Sequence, residues 1–166
     1  TVDGVFCGYI HGWEGGDPKG QAIAERVGAD GTAKKHVTSP QYTPIVLVML
    51  FPPPKPIVDW MNDMMTGKAS RKTLVMTDVD QNFKAVSSLQ ALNCTLTRIV
   101  FPAADASSKD TARLTLTFSP EVTKVIPPLA APTSAPTPHK AGDVASPANY
   151  RLQIDGLDTT KVAKID

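Results

Sequence analysis

The sequence is poor in cysteine, in net charge and in long hydrophobic runs, and each shortage narrows what the chain can be. Only Cys7 and Cys94 occur in 166 residues. They can make at most one bridge, and in a protein folded in the cytoplasm two buried free thiols are the commoner state. Charge is balanced, 17 basic against 16 acidic residues, a net +1. An electrostatic footprint for nucleic acid needs a basic excess or patch, which this balance does not supply. The longest apolar run, Ile45–Phe51, falls far short of the roughly 18 residues of a spanning helix. No basic stretch followed by an apolar one opens the chain, so neither a membrane anchor nor a cleaved export signal is expected.

Signatures of chemistry are missing as well. His11, His36 and His139 share no ligand spacing, and neither cysteine has a second ligand beside it, so no metal site is expected. Gly67-Lys68 is not a phosphate loop, because Asn62 stands where the upstream glycine belongs. Lys68 is read instead as a cation at a helix C-terminus. Asp78-Val79-Asp80-Gln81-Asn82 begins like a calcium loop. However, Phe83 replaces the turn glycine and Leu89 the bidentate glutamate, so a hairpin turn is predicted. Glu14, Asp59 and Asp63 form no evident catalytic pair, and no nucleophile elbow or Cys–His signature occurs. No catalytic residue and no cofactor is therefore expected.

What is present points to a β-rich domain. With 42% hydrophobic residues the chain can bury a core, and its length fits one domain, or one domain and a fragment. The 15 prolines punctuate it as turns punctuate a β fold. Val2–Tyr9 reads as a strand pair broken at glycine, Gln21–Val27 as a weaker strand, and Gly28–Ser39 as a polar loop holding Lys34, Lys35 and His36. Tyr42–Phe51 contains IVLVML, with no polar face, which predicts a strand covered on both sides. The one helix is predicted over Pro56–Thr66. Pro56 suits the first helical position and Gly67 the stop, while Ile57, Trp60, Met61 and Met64 form an apolar stripe expected in the core. Arg71–Asp78 and Phe83–Gln90 make a hairpin. Ala91–Phe101 is a strand whose alternation slips at Arg98, which predicts a bulge, and Ala112–Phe118 alternates strictly.

Pro127–Pro147 changes character: rich in Pro, Ala, Ser and Thr, it reads as an extended linker. After it, Tyr150, Leu152 and Ile154 alternate with Arg151, Gln153 and Asp155 as a strand would. Ile154-Asp155-Gly156-Leu157 then echoes Val2-Asp3-Gly4-Val5. The expected organisation is a β domain over residues 1–126, a linker over 127–147, and, over 148–166, the opening strand of a second, truncated repeat or a strand completing the first.

Three segments, taken in order, resemble the tail-tube proteins of contractile phage tails and phage-tail-like injection systems. The first is the helix and its exit, IVDWMNDMMTGKASRK, with Asp59, Trp60, Gly67, Lys68, Arg71 and Lys72. The second is FPAADASSKDTARLTLTFSPE, Phe101–Glu121, and the third is ANYRLQIDGL. The proline-rich approach Phe51–Pro56, the linker and the tail depart from a simple one-domain tube subunit. They leave main tube subunit, tube-initiating ring and accessory tube protein all open.

The resemblance implies a mainly β protein, an antiparallel β-barrel or two-sheet core with one flanking helix. Such subunits form rings, commonly hexameric, that stack into a hollow tube driven by a contractile sheath. It implies a structural protein that folds in the cytoplasm and then belongs to a phage tail or a released particle. The implied partners are copies of the chain itself and the sheath and baseplate proteins of the same particle, with no specific nucleic acid and no membrane insertion. Assembly contacts are then expected on the apolar run (Ile45, Val46, Val48) and on the two polar loops. Lys34 and Lys35 lie in Gly28–Ser39, and Asp105, Ser107 and Lys109 in Ala103–Asp110. The residues also allow a second reading, a β-sandwich adhesion or carbohydrate-binding module on a Pro-rich linker, with Trp13 as its stacking platform.

Overall fold

The structure is a computed structural model that describes residues 1–26, 33–129, 145–159 and 161–165. The chain opens with short strands β1 (Gly12–Glu14), β2 (Pro18–Lys19), β3 (Ala22–Arg26), β4 (Ala33–Val37) and β5 (Gln41–Tyr42). Strand β6 (Ile45–Leu50), helix α1 (Lys55–Met65), and strands β7 (Arg71–Val79) and β8 (Ala85–Val100) follow. The remaining strands are β9 (Ala104–Asp105), β10 (Arg113–Ser119), β11 (Val122–Ile126) and β12 (Lys164–Ile165). The protein is mainly β: among the described residues, one curled six-stranded antiparallel sheet with one helix, and three two-stranded pairs beside it.

The long strand β8 is the axis of the sheet. β7 pairs with one edge of it and β10 with the other, where Thr115 faces Val100 and Ser119 faces Thr95. β11 continues on β10's edge, from Val122 opposite Leu92 to Ile126 opposite Ser88. Pro120 interrupts the strand because it has no N–H to give the ladder, yet Glu121 N donates to Leu92 O at 3.1 Å and holds the register through the gap. β6 pairs with β10, and β1 with β6, so β1 and β7 lie at opposite margins of the sheet, with β11 a third edge beyond Pro120. The N-terminal residues tie one margin to the other. Thr1 exchanges main-chain bonds with Val75 of β7, Asp3 N donates to Thr73 O and the Asp3 carboxylate accepts from Thr73 N, and the chain then runs on into β1.

Alternation decides what the curl encloses. Ile45, Leu47 and Met49 face Phe118, Leu116 and Leu114 across the β6–β10 pair, and all six are buried. Helix α1 lays Ile57, Trp60 and Met61 on this layer, with the Trp60 ring 4.8 Å from that of Phe118. The helix ends in a double main-chain lock: Gly67 N donates to Met64 O and Lys68 N to Asp63 O. This lock requires a left-handed residue at the turn, and Gly67 has φ 76°. Lys68 also reaches Asp63 Oδ1 at 3.2 Å and holds that carboxyl below its usual range.

Several expectations are corrected here. Val2–Tyr9 is not a strand pair; its only bridges join Val2 to Val5 and to Leu74. The polar loop over Gly28–Ser39 contains a strand, Ala33–Val37, paired with Ala22–Arg26; positions 28–32 lie outside the described residues. IVLVML is buried on one face and half-buried on the other, not covered on both. Phe83–Gln90 and Ala91–Phe101 are not two strands, since Ala85–Val100 is a single strand of 16 residues. The bulge expected at Arg98 is present, with Thr97 as the extra residue between the Arg98–Thr117 and Leu96–Phe118 pairs. Tyr150–Ile154 alternates in sequence but forms no strand. Cys7 and Cys94 are buried free thiols, and burial pushes Cys94 up to about 11. Most of the expected linker, 130–144, lies outside the described residues.

Candidate assembly surfaces

Residues opposite one another on adjacent antiparallel strands share a face, so the register defines the outer surface of the sheet. One row across it is Gly12, Val48, Thr115 and Val100; the next is Glu14, Val46, Thr117 and Arg98. Val46, Val48, Thr115 and Thr117 are half-buried, while Val100 and Arg98 are exposed. This is a surface of valine and threonine bordered by Glu14 and Arg98. Of the three candidates on the apolar run, Val46 and Val48 lie on it. Ile45 does not: it is fully buried against Phe118, because alternation turns it inward.

Lys34 and Lys35 sit on a hairpin arm. β2 pairs with β5 and β3 with β4, so Pro18–Arg26 and Ala33–Tyr42 are its two legs. The side chains of β4 are all exposed, and Val37 is 69% exposed. Gln21 and Thr38 exchange bonds at its middle, and His36 lies 3.9 Å from Glu25. Asp105, Ser107 and Lys109 belong to a third surface, the turn after β8. Asp105 accepts from Ser107 N at 2.8 Å and from its hydroxyl at 2.6 Å. These bonds, with the charge of Lys164 behind them, hold its carboxyl below the usual range. The sequence candidates thus fall on three separate elements.

Other features escape sequence reasoning. Glu121 accepts from Arg71 at 2.5 Å and from Asn93 Nδ2 at 2.8 Å, locking the β10–β11 junction to β7 and β8. Asn93 has φ 51° and is the extra residue of a second bulge, where Lys72 faces Cys94 and Leu74 faces Ala91. Gly15 is a glycine of necessity: its φ is 90°, and a Cβ there would lie 1.9 Å from Pro44 O. A cavity of 470 Å³ lies behind the N-terminal segment, lined by Val2, Cys7, Ile10, Trp13, Met49 and Met76 among others. Trp13 packs against the core from this cavity and donates its N–H to Asp78 at 3.3 Å across the seam between β1 and β7. Among the described residues no group of three His, Cys, Asp or Glu side chains could hold a metal ion.

No family model matches the sequence, and no curated protein matches it. Solved structures do match. A chain of the anti-feeding prophage cap, its tube terminating cap, superposes with a TM-score of 0.59 at 20% identity, covering 78% of this chain and 87% of that one. A chain of the sheath-tube complex of the extracellular contractile injection system PVC, in its extended state, gives 0.59 at 21% identity, with the same coverage. The fold is the tail-tube fold. A chain of the anti-feeding prophage baseplate shares it at a TM-score of 0.55 and 12% identity, over 74% of this chain and 81% of that one.

Proposed function

We propose that the chain is a structural subunit of the inner tube of a contractile injection particle or phage tail. Copies assemble into stacked rings, six-membered as in the common tube plan, around a hollow lumen. The observation that carries this reading is the tail-tube fold, shared with chains of a tube terminating cap and of a sheath-tube complex. Two surfaces of this chain support it. The valine–threonine face around Val46 and Val48 offers the half-apolar area that a subunit contact uses, and the arm formed by β2 to β5 leaves all of β4 exposed. The fitting partners are further copies of the chain, and the sheath and baseplate proteins of the same particle. A tube subunit acts through shape and contact rather than catalysis. It folds in the cytoplasm and travels as part of the particle; no helix among the described residues is long and apolar enough to cross a membrane.

The glycan-binding alternative loses its motive, because the Trp13 ring lines the seam cavity instead of presenting an open platform. Negative-stain imaging of the purified protein at high concentration tests the reading. Rings of uniform diameter, some stacked into tubes, are expected. A protein that stays monomeric, with no such rings in its native particles, overturns it.

A further inference from the structure

The turn after β8 and the C-terminal residues meet through main chain. At the end of the β6–β10 ladder Phe51 N donates to Ala112 O at 3.0 Å. The return bond of that pair is taken by Ala145, whose O accepts from Ala112 N at 3.1 Å and whose N donates to Phe51 O at 2.9 Å. Farther along, Asp105 N donates to Pro147 O and Ala106 N to Ala163 O, while Lys164 and Ile165 pair with Asp105 and Ala104. Residues 145–165 therefore form a strap tied to the body at three points. Little apolar burial backs these ties: Ile154, Leu157, Val162 and Ile165 are 45%, 66%, 38% and 37% exposed, as is Phe101 at 51% near the turn.

Main-chain pairing reads no side chains, so the same turn on another copy offers the strap the same bonds. Exchange of an identical element between protomers is a low-cost route to association. Chain geometry permits it: residues 130–144 can span at most roughly 50 Å, against a domain diameter of roughly 35 Å. In a ring the neighbour's turn is held at high effective concentration, and the exposed apolar side chains of the strap gain a second subunit to cover them.

Resting on the tube reading, we infer that in the assembled particle residues 145–165 leave their own turn and pair with the Ala104–Asp105 turn and Phe51–Ala112 ladder end of a neighbouring copy. The arrangement within one chain is the unassembled form. The strap then links subunits through the same main-chain bonds that it makes within one chain.

Two single variants test this, Ala104→Cys and Ile165→Cys, at positions that face each other across the β9–β12 pair. They are co-assembled, imaged, oxidised and run denatured without reductant. Exchange sets Ile165 of one variant opposite Ala104 of the other, so a covalent heterodimer that rises at least roughly tenfold on ring formation is expected. The unmodified chain gives an independent readout through Lys164 and Asp105. Carbodiimide coupling in rings mixed from light and ¹⁵N-labelled chains should yield mixed-isotope cross-linked peptides. Rings that form normally but give neither product overturn the exchange and leave the tube reading standing. Absence of rings from the wild-type protein removes the tube reading, and the exchange with it.

Discussion

At the scale of single residues, Trp60 does two things at once. Its ring is buried against Phe118, and its N–H donates to Ser70 O at 3.2 Å, fastening the helix to the chain that leaves it. Lys72 Nζ sits 5.8 Å from the ring centroid on the other side. Trp60→Ala removes the packing and leaves a void the rigid sheet cannot fill, so a loss of about 3–5 kcal/mol is expected. Trp60→Phe retains most of the packing but strands the Ser70 carbonyl, and a loss of about 1–3 kcal/mol is expected. Urea denaturation of both variants separates the two parts; no loss in Trp60→Phe would show that the hydrogen bond contributes nothing, and equal losses would show that the packing does not. Trp60 was legible in sequence because its role follows from helical spacing to Ile57, Met61 and Met64. Glu121 was not. Its partners Arg71 and Asn93 lie 50 and 28 positions away, and only the folded register brings them together.

At the scale of elements, legibility followed local periodicity. Leu114, Leu116 and Phe118 alternate without interruption, and the structure places them inward as alternation requires. The helix carried its own start and stop in Pro56 and Gly67. β8 was harder, because irregularities at Val86, Asn93 and Thr97 reset its phase three times, so one strand of 16 residues read as two. β11 has no alternation; it is a strand because β10 hands it a register past Pro120. Tyr150–Ile154 shows the converse, since alternation makes no strand where no ladder partner is offered. In β6 the lack of a polar face misled: Ile45, Leu47 and Met49 are buried, while Val46 and Val48 are only half-buried on the outer face. A charge on that face therefore separates folding from assembly. Val48→Asp lies beside Gly12 and Thr115, so the cost to the monomer should stay near 1 kcal/mol, while rings should disappear. Thermal unfolding and size-exclusion chromatography read the two effects; a variant that simply unfolds, or rings that persist, would detach this face from assembly.

At the scale of the whole molecule, the curled sheet is self-sufficient and the arm is not. Core side chains of β6, β7, β8, β10 and α1 form one cluster, to which the residues of β3 and β4 do not contribute. A two-stranded hairpin alone is marginal in water, and this one, with the whole of β4 exposed, extends roughly 25 Å over its described strand from Pro18 to Arg26. Such an arm contributes little to the monomer and is suited to resting on another subunit. If that subunit belongs to the next ring, removing the arm should leave rings but no tube. Replacing Gly20–Pro40 with Asn-Gly joins Lys19 to Gln41 through a tight turn that suits their existing pairing. The shortened protein should unfold within a few degrees of the parent, since surface changes away from a core cost roughly 0.5 kcal/mol. Its rings should form singly, with stacks absent from negative-stain fields at concentrations where the parent grows tubes. Tubes of normal length from the shortened chain would show that ring stacking runs through other surfaces, and a collapse of the monomer would show that the sheet depends on the arm after all.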